Sequence, residues 1–99
     1  MHPATERLAM AQKYIGTQFR FIEDPGHGWL EVPRPLVRHL NIDVSTYSYY
    51  DAASDNLYLE EDIDAGRFVK AFKEAFKSEP KTKHQYLNPC FVRSLCRTM

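Results

Sequence analysis

A histidine and a set of carboxylates are the side chains of this 99-residue chain whose types suggest chemistry. His27 stands between Gly26 and Gly28 in a turn-forming segment, where an exposed imidazole can act as a general base or a metal ligand. No recognised catalytic partner accompanies it in the sequence. We therefore interpret His27 as a residue that shapes the turn, with a metal-dependent enzyme as the alternative.

An acidic run could supply oxygen ligands together with Asp51 or Asp55 of the partner strand; it consists of Glu60, Glu61, Asp62 and Asp64. A hard cation such as Mg²⁺ needs several converging oxygens. Alternation along a strand sends Glu60 and Glu61 to opposite faces, which argues against convergence. The spacings of EF-hands, zinc proteases, phosphate-binding loops and serine hydrolases are absent. We expect a non-enzymatic protein with no catalytic residues, no metal and no cofactor.

Cysteine usage and hydropathy indicate the compartment. Cys90 and Cys96 lack the CxxC spacing of redox and zinc sites. A disulfide is sterically possible in an extended segment, but reduced thiols are the ordinary state in the cytoplasm. No apolar run approaches the roughly 20 residues of a membrane span, and the first residues lack the features of a signal peptide. We expect a cytoplasmic protein that is not associated with a membrane.

The formal net charge of zero conceals a separation of charge along the chain. Residues 1–65 contain eleven Asp and Glu against five Lys and Arg, a balance of −6. Residues 66–99 contain eight Lys and Arg against two Asp and Glu, a balance of +6. Such separation produces two fields of opposite sign and favours binding to a charged partner.

Two binding hypotheses follow from the separated charges. In the first, the acidic half occupies a basic, nucleic-acid-binding groove on another protein, because complementary fields accelerate and orient an encounter. Tyrosines ringed by polar groups commonly carry interface energy. The predicted partner-binding residues are Asp51, Asp55, Glu60, Glu61 and Asp62, with Tyr49 and Tyr58 as aromatic anchors.

In the second hypothesis the chain is a small nucleic-acid-binding or regulatory protein. Lysines at Lys70, Lys73, Lys77 and Lys81 would track a phosphate backbone. An exposed, tyrosine-rich sheet would stack unpaired bases. The neutral overall charge argues against this class, because dedicated nucleic-acid-binding domains are usually strongly basic.

The secondary structure that positions these side chains is predicted from hydrophobic periodicity and turn residues. Amphipathic spacing predicts an N-terminal helix and a longer helix that Asp62 or Asp64 caps, and alternation predicts strands in two hairpins. The predicted helices cover residues 5–15, 36–40 and 65–76, the predicted strands cover residues 18–23, 29–32, 46–51 and 57–61, and a short helix is predicted in the tail near residues 91–95.

Two hairpins with helices between them predict a two-layer α+β domain, in which a four-stranded antiparallel sheet has helices packed on one face. We expect one domain over residues 1–99, with an N-terminal helix (1–16), an α+β core (17–77), and a basic linker and C-terminal tail (78–99). The second face of the sheet is expected to be partly open and to bear tyrosines. An exposed sheet edge would equally support a homodimer.

Three motifs in fixed order resemble a family of small uncharacterised proteins encoded in bacteria and on phages and plasmids. They are DPGHGWLEVP at residues 24–33, YSY at residues 47–49, and LYLEEDIDAGRF at residues 57–68. The resemblance covers roughly residues 19–76 and implies no catalytic residues.

Small, single-domain proteins with acidic patches from mobile elements are often inhibitors of host defence, such as anti-CRISPR proteins. The resemblance therefore implies a bacterial host cell as the location. It also implies a bacterial host protein as the partner, such as a component of a CRISPR-Cas complex or another defence system.

Overall fold

The computed structural model, which describes residues 9, 10 and 12–98, has an α+β fold built on one mixed sheet of six strands. Residues 9, 10 and 12–14 are helical, and the predicted start of that helix at Thr5 lies outside the described residues. The elements that follow are β1 (Gln18–Glu23), β2 (Gly28–Pro33), α1 (Arg34–His39), β3 (Tyr49–Asp51), β4 (Asn56–Glu60), α2 (Asp64–Phe76), β5 (Lys81–Tyr86), a 3₁₀ helix (Phe91–Ser94) and β6 (Cys96–Arg97).

The four central strands form the two predicted hairpins. The strand order is β5-β1-β2-β4-β3-β6, and the pairs β1–β2, β2–β4 and β3–β4 are all antiparallel. Gly28 begins β2 next to the ring of Phe21. A Cβ atom at Gly28 would lie 2.6 Å from Cζ of Phe21, so this position requires glycine.

The prediction of a four-stranded, wholly antiparallel sheet is wrong at both edges. β5 pairs parallel to β1, with Lys81 opposite Gln18 and Tyr86 opposite Glu23, and β6 pairs with β3. The segment that forms β5 was predicted as a basic linker. All six of its side chains are exposed, so it has no apolar alternation, and its strand structure comes from backbone pairing with β1.

One face of the sheet is covered by the helices, as predicted. Phe68 and Phe72 of α2 are fully buried, and the Phe72 ring lies edge-on to Phe19 at 5.9 Å between centroids. Leu36 and Val37 of α1 are buried in the same cluster, which we call the helix-side core. The helical spacing of the phenylalanines therefore places the whole apolar side of α2 against the sheet.

The start of α2 differs from the prediction that Asp62 or Asp64 caps it. The N-cap residue is Ile63, which makes no side-chain capping bond. The buried carboxylate of Asp64 instead accepts hydrogen bonds from the Ser45 amide, the Ser45 hydroxyl and the Ser48 hydroxyl. These bonds hold residues 45–48 as a loop against the helix, so β3 begins at Tyr49 rather than at residue 46 as predicted.

The second face of the sheet is covered by residues 87–95, and we call residues 87–98, which also include β6 at the sheet edge, the C-terminal segment. Val92 is fully buried in a cluster with Ile22, Trp29, Tyr49 and Tyr58. The prediction that these tyrosines lie on a partly open face is wrong, because Tyr49 is 7% and Tyr58 is 2% exposed. In the described part of the chain, no helix is long and apolar enough to cross a membrane.

Candidate functional site

Arginine side chains lie over aromatic rings where the C-terminal segment meets the sheet. The guanidinium carbon of Arg93 is 5.3 Å from the ring centroid of Trp29, and that of Arg97 is 5.0 Å from Tyr49. Such cation–π contacts contribute about 0.5–1 kcal/mol each at partly exposed sites. They attach the segment to the sheet with charged groups that remain close to solvent.

A salt bridge connects the C-terminal segment to the turn between β1 and β2. Nη2 of Arg93 lies 3.1 Å from one carboxylate oxygen of Asp24, and Nε of Arg93 donates to the other. The same carboxylate accepts the amides of Gly26 and His27 at 2.9 and 2.8 Å. The Arg93 guanidinium holds the pKa of Asp24 well below its usual range, with the two amides adding to the effect.

A second polar group lies under the C-terminal segment, between β1, β2 and β4. Nη2 of Arg20 is 2.6 Å from Oε2 of Glu31, and the Tyr58 hydroxyl donates to the same oxygen at 2.8 Å. Burial raises the pKa of Tyr58 to about 12, and the bond to Glu31 adds to that rise. Both contacts go to Oε2 of Glu31, and Arg20 supplies the charge that neutralises this carboxylate.

A pocket of about 270 Å³ opens between the β1–β2 turn, the 45–48 loop and the C-terminal segment. We call it the Glu60 pocket. Four rings line it, those of His27, Trp29, Tyr47 and Tyr49. Three charged side chains complete the lining, those of Glu60, Arg93 and Arg97.

Two charges in the Glu60 pocket have no partner of opposite sign among the described residues. Glu60 is 9% exposed, and one carboxylate oxygen accepts the Asp62 amide while the other makes no hydrogen bond within the described chain. Within the described residues, the guanidinium of Arg97 makes only a 3.4 Å contact with the carbonyl oxygen of Thr46, besides its contact with Tyr49. By contrast, Arg93 is neutralised by Asp24.

Beside the pocket, two adjacent backbone segments carry exposed apolar and acidic side chains. Tyr47 is 60% and Ile63 is 41% exposed, and Glu61 and Asp62 are exposed without an ion pair in the described part of the chain. The amide of Glu60 donates to the Ser48 hydroxyl at 2.9 Å, which keeps the loop that carries Tyr47 close to residues 60–63. We call Tyr47, Glu61, Asp62 and Ile63 the docking patch.

The predicted acidic partner-binding residues divide between the two ends of β4. Glu60, Glu61 and Asp62 lie together at one end, and Asp51 and Asp55 lie at the β3–β4 turn, about 13 Å away along the strand. Asp51 accepts the Ala53 amide and the Ser54 hydroxyl, which shapes the turn.

The remaining acidic residue of that turn, Asp55, is also used within the protein. Its carboxylate lies 2.7 Å from Nε of Arg34 and accepts the Tyr50 hydroxyl at 2.9 Å. The structure thus brings together three of the five predicted carboxylates and leaves two with local structural partners. Tyr49 and Tyr58, predicted as anchors, are buried beneath the C-terminal segment.

The lysines of the nucleic-acid hypothesis do not form one stripe. Lys70, Lys73 and Lys77 are exposed along α2 and its C-terminal end, where Lys73 is 3.1 Å from Glu79. Lys81 begins β5 opposite Gln18, and alternation places it on the sheet face that α2 does not cover. A single backbone path along all four lysines would have to cross the edge of the sheet.

The residues considered for metal or thiol chemistry are dispersed. The described residues contain no group of three or more His, Cys, Asp and Glu side chains placed to hold a metal ion. His27 is exposed, and its ring lies 6.1 Å from that of Trp29. Cys90 and Cys96 are free thiols in the structure.

Sequence reasoning missed the Glu60 pocket and did not include Tyr47 or Ile63 among the predicted binding residues. The pocket is formed by residues from the β1–β2 turn, the 45–48 loop, β4 and the C-terminal segment, so no local spacing in the sequence predicts it. The one available signal was Arg93 and Arg97 in an otherwise apolar tail. Comparisons with protein-family models, curated proteins and solved structures gave no match.

Proposed function

We propose that this chain is a non-enzymatic binding protein of phage or other mobile-element origin. It docks on a bacterial protein complex that handles nucleic acid, such as a CRISPR-Cas complex, and blocks it. The mobile-element origin is supported by the resemblance of residues 24–33, 47–49 and 57–68 to small proteins of phages, plasmids and bacteria. The docking function is supported by the docking patch.

The observation that carries the proposal is the composition of the docking patch. Tyr47 and Ile63 are large apolar side chains with 60% and 41% of their surface exposed. Glu61 and Asp62 lie beside them with no cation within the described chain to neutralise them. Apolar anchors surrounded by charged groups have the anatomy of interface hot spots.

The charge of the docking patch supports a basic partner. A groove that binds nucleic acid carries arginines and lysines, which would pair with Glu61 and Asp62 and be unavailable to phosphates. Such pairing mainly raises the association rate and fixes orientation, and Tyr47 and Ile63 would supply desolvated contact area. Blocking would therefore act by occupation of the groove and needs no chemistry on the partner.

Charge reversal of the patch tests the proposal. We expect the wild-type protein to block DNA binding by at least one purified CRISPR-Cas effector from a panel of bacterial systems, and the variant Glu61→Lys/Asp62→Lys to lose that inhibition. The matched control is Glu74→Lys/Glu79→Lys, which makes the same change in net charge on and beside α2 and should inhibit like the wild type. Tyr47→Ala should weaken inhibition without changing the salt dependence of binding.

Two results would contradict the proposal. One is full inhibition by the Glu61→Lys/Asp62→Lys variant. The other is absence of binding to every nucleic-acid-handling complex in the panel by surface plasmon resonance at low salt.

The second candidate function is direct binding of nucleic acid by Lys70, Lys73, Lys77 and Lys81. Lys70 and Lys77 favour it, because both are exposed and neither has an ion-pair partner among the described residues. This function predicts binding of fluorescent single-stranded DNA or RNA at low salt, with affinity that falls steeply as salt is raised. Binding that Lys70→Glu/Lys77→Glu abolishes would favour this function over protein docking.

A further inference from the structure

We propose that the Glu60 pocket binds a free aromatic amino acid in its zwitterionic form. The ammonium group pairs with Glu60, the carboxylate pairs with Arg97, and the aromatic side chain packs among the rings of the pocket. This inference does not depend on the proposed docking function, because its charged contacts lie outside the docking patch.

The buried carboxylate of Glu60 would bind the ammonium group of the ligand. Glu60 is nine-tenths buried, and the one hydrogen bond that it receives in the described chain comes from the Asp62 amide. The second carboxylate oxygen makes no hydrogen bond within the described residues and remains accessible to solvent, so a cationic ligand can reach it. An ammonium group that enters the pocket supplies both the opposite charge and hydrogen-bond donors to the free oxygen.

Arg97 would bind the carboxylate of the ligand. Its guanidinium rests on the Tyr49 ring and has no carboxylate partner within the described residues. A planar guanidinium binds a carboxylate with two parallel hydrogen bonds, and this geometry is among the strongest in proteins. The ring contact holds the Arg97 side chain in place, so less rotamer freedom is lost when the ligand binds.

The balance of these charges selects a zwitterion over an anion. Asp24 already neutralises Arg93, so the charges that remain unpaired are one carboxylate and one guanidinium. A ligand with one positive and one negative group leaves no charge uncompensated. A phosphate monoester would bring excess negative charge close to Glu60, which a single guanidinium does not offset.

The rings and the size of the pocket select the side chain of the ligand. Arg93 and Arg97 lie over Trp29 and Tyr49, whereas Tyr47 is 60% exposed and offers an open ring. Aromatic rings pack favourably in offset or edge-to-face geometry. The volume of about 270 Å³ lies below the roughly 300–1,000 Å³ typical of pockets for drug-sized ligands, so a single amino acid suits it.

The test is a titration of the full chain with L-phenylalanine and two blocked derivatives. Trp29 is the single tryptophan of the chain and lines the pocket, so its fluorescence reports on occupancy. We expect saturable binding of L-phenylalanine by fluorescence and calorimetry. N-acetylphenylalanine and phenylalanine amide should bind roughly tenfold or more weakly, because each lacks one charge-assisted contact.

Single-residue variants test which side chain binds the ammonium group and which binds the carboxylate group of the ligand. Glu60→Gln keeps the oxygen that accepts the Asp62 amide and should weaken L-phenylalanine binding roughly tenfold, but it should not weaken N-acetylphenylalanine binding, because that ligand has no ammonium group and is repelled by Glu60. Arg97→Gln should weaken L-phenylalanine binding, but it should not weaken binding of phenylalanine amide, which has no carboxylate. Glu74→Gln and Arg38→Gln, which remove exposed charges outside the pocket and the docking patch, are the matched controls and should bind like the wild type.

Three results would overturn this inference. They are absence of saturable L-phenylalanine binding to the folded wild-type protein, equal affinity for the blocked derivatives, and tighter binding of a nucleoside monophosphate than of L-phenylalanine. Loss of inhibition by the docking-patch variant bears on the proposed function alone, and the Glu60→Gln and Arg97→Gln titrations bear on this pocket alone.

Discussion

The two faces of the sheet are covered in different ways. The helix-side core is formed by phenylalanines and aliphatic side chains, with Phe68 and Phe72 fully buried. The opposite face is covered by the C-terminal segment, whose Val92 is fully buried while Arg93 and Arg97 lie over aromatic rings. The first arrangement removes apolar surface from water, and the second also brings charged groups close to rings.

This difference separates stability from binding. A closely packed apolar layer provides most of the free energy of folding and presents nothing to a ligand. The C-terminal segment leaves Glu60 and Arg97 without charged partners among the described residues, beside the docking patch. We infer that the helix side holds the fold and that the side of the C-terminal segment carries the contacts with other molecules.

The largest expected effect is the loss of a ring from the helix-side core. Phe72 is fully buried, and its ring lies 4.8 Å from Phe76 and 5.9 Å from Phe19 between centroids. We expect Phe72→Ala to lower the free energy of unfolding by about 3–5 kcal/mol, through lost burial and the cavity that remains. Urea unfolding followed by circular dichroism measures it. A loss below about 1 kcal/mol would contradict the role given to this face.

A smaller loss is expected under the C-terminal segment. Val92 packs in the cluster with Trp29 and Tyr58. Val92→Ala removes two methyl groups and should lower the free energy of unfolding by about 2 kcal/mol, at about 0.8 kcal/mol for each buried carbon with some relaxation cost. Equal losses for Val92→Ala and Phe72→Ala would remove the contrast between the faces.

The sequence predicted what local periodicity encodes. The phenylalanine spacing of α2, the turn at residues 24–28 and the two hairpins all appear in the structure. β5 was not predicted, because an exposed edge strand has no buried side chains to produce a pattern, and only its pairing with β1 identifies it. Local pattern therefore predicted the core but not the edges of the sheet.

The candidate site was less predictable for the same physical reason. Of the carboxylates predicted to bind a partner, those at residues 60–62 lie together at one end of β4, but Asp51 and Asp55 belong to a turn at its far end. Exposure of Tyr49 and Tyr58 was predicted from strand alternation, which cannot reveal that the C-terminal segment covers that face. A residue's availability to a partner is a tertiary property.

Removal of the Tyr58 hydroxyl tests the polar group beneath the C-terminal segment. We expect Tyr58→Phe to lower the free energy of unfolding by about 1 kcal/mol, because the Glu31 carboxylate loses one buried donor. In the wild type the folded-state pKa of Tyr58 is raised to about 12, above the ordinary value near 10. The stability that the protonated Tyr58 hydroxyl contributes is therefore complete below about pH 10, and it decreases as the pH rises from about 10 to 12.

Urea unfolding of both proteins across alkaline pH checks this expectation. The part of the alkaline destabilisation that comes from Tyr58 should be absent in the Tyr58→Phe protein. Identical pH profiles for the two proteins would contradict the burial of this hydroxyl.

The smallest expected effect concerns Asp24. Its folded-state pKa is depressed by Arg93, so the salt bridge stabilises the protein at pH values above the ordinary Asp range near 4. This contribution decreases as the pH falls through that range towards the folded-state pKa. The difference in unfolding free energy between wild type and Asp24→Asn should therefore be present at neutral pH and shrink in acid. A difference that does not change with pH would contradict the assignment.

The central claim is that the docking patch serves binding and contributes little to folding. The most direct test measures inhibition and stability on the same protein, the Glu61→Lys/Asp62→Lys variant. We predict that its inhibition of the purified effector complex is lost while its free energy of unfolding in urea stays within about 0.5 kcal/mol of the wild type, as expected for exposed positions. Retained inhibition by this folded variant would contradict the claim.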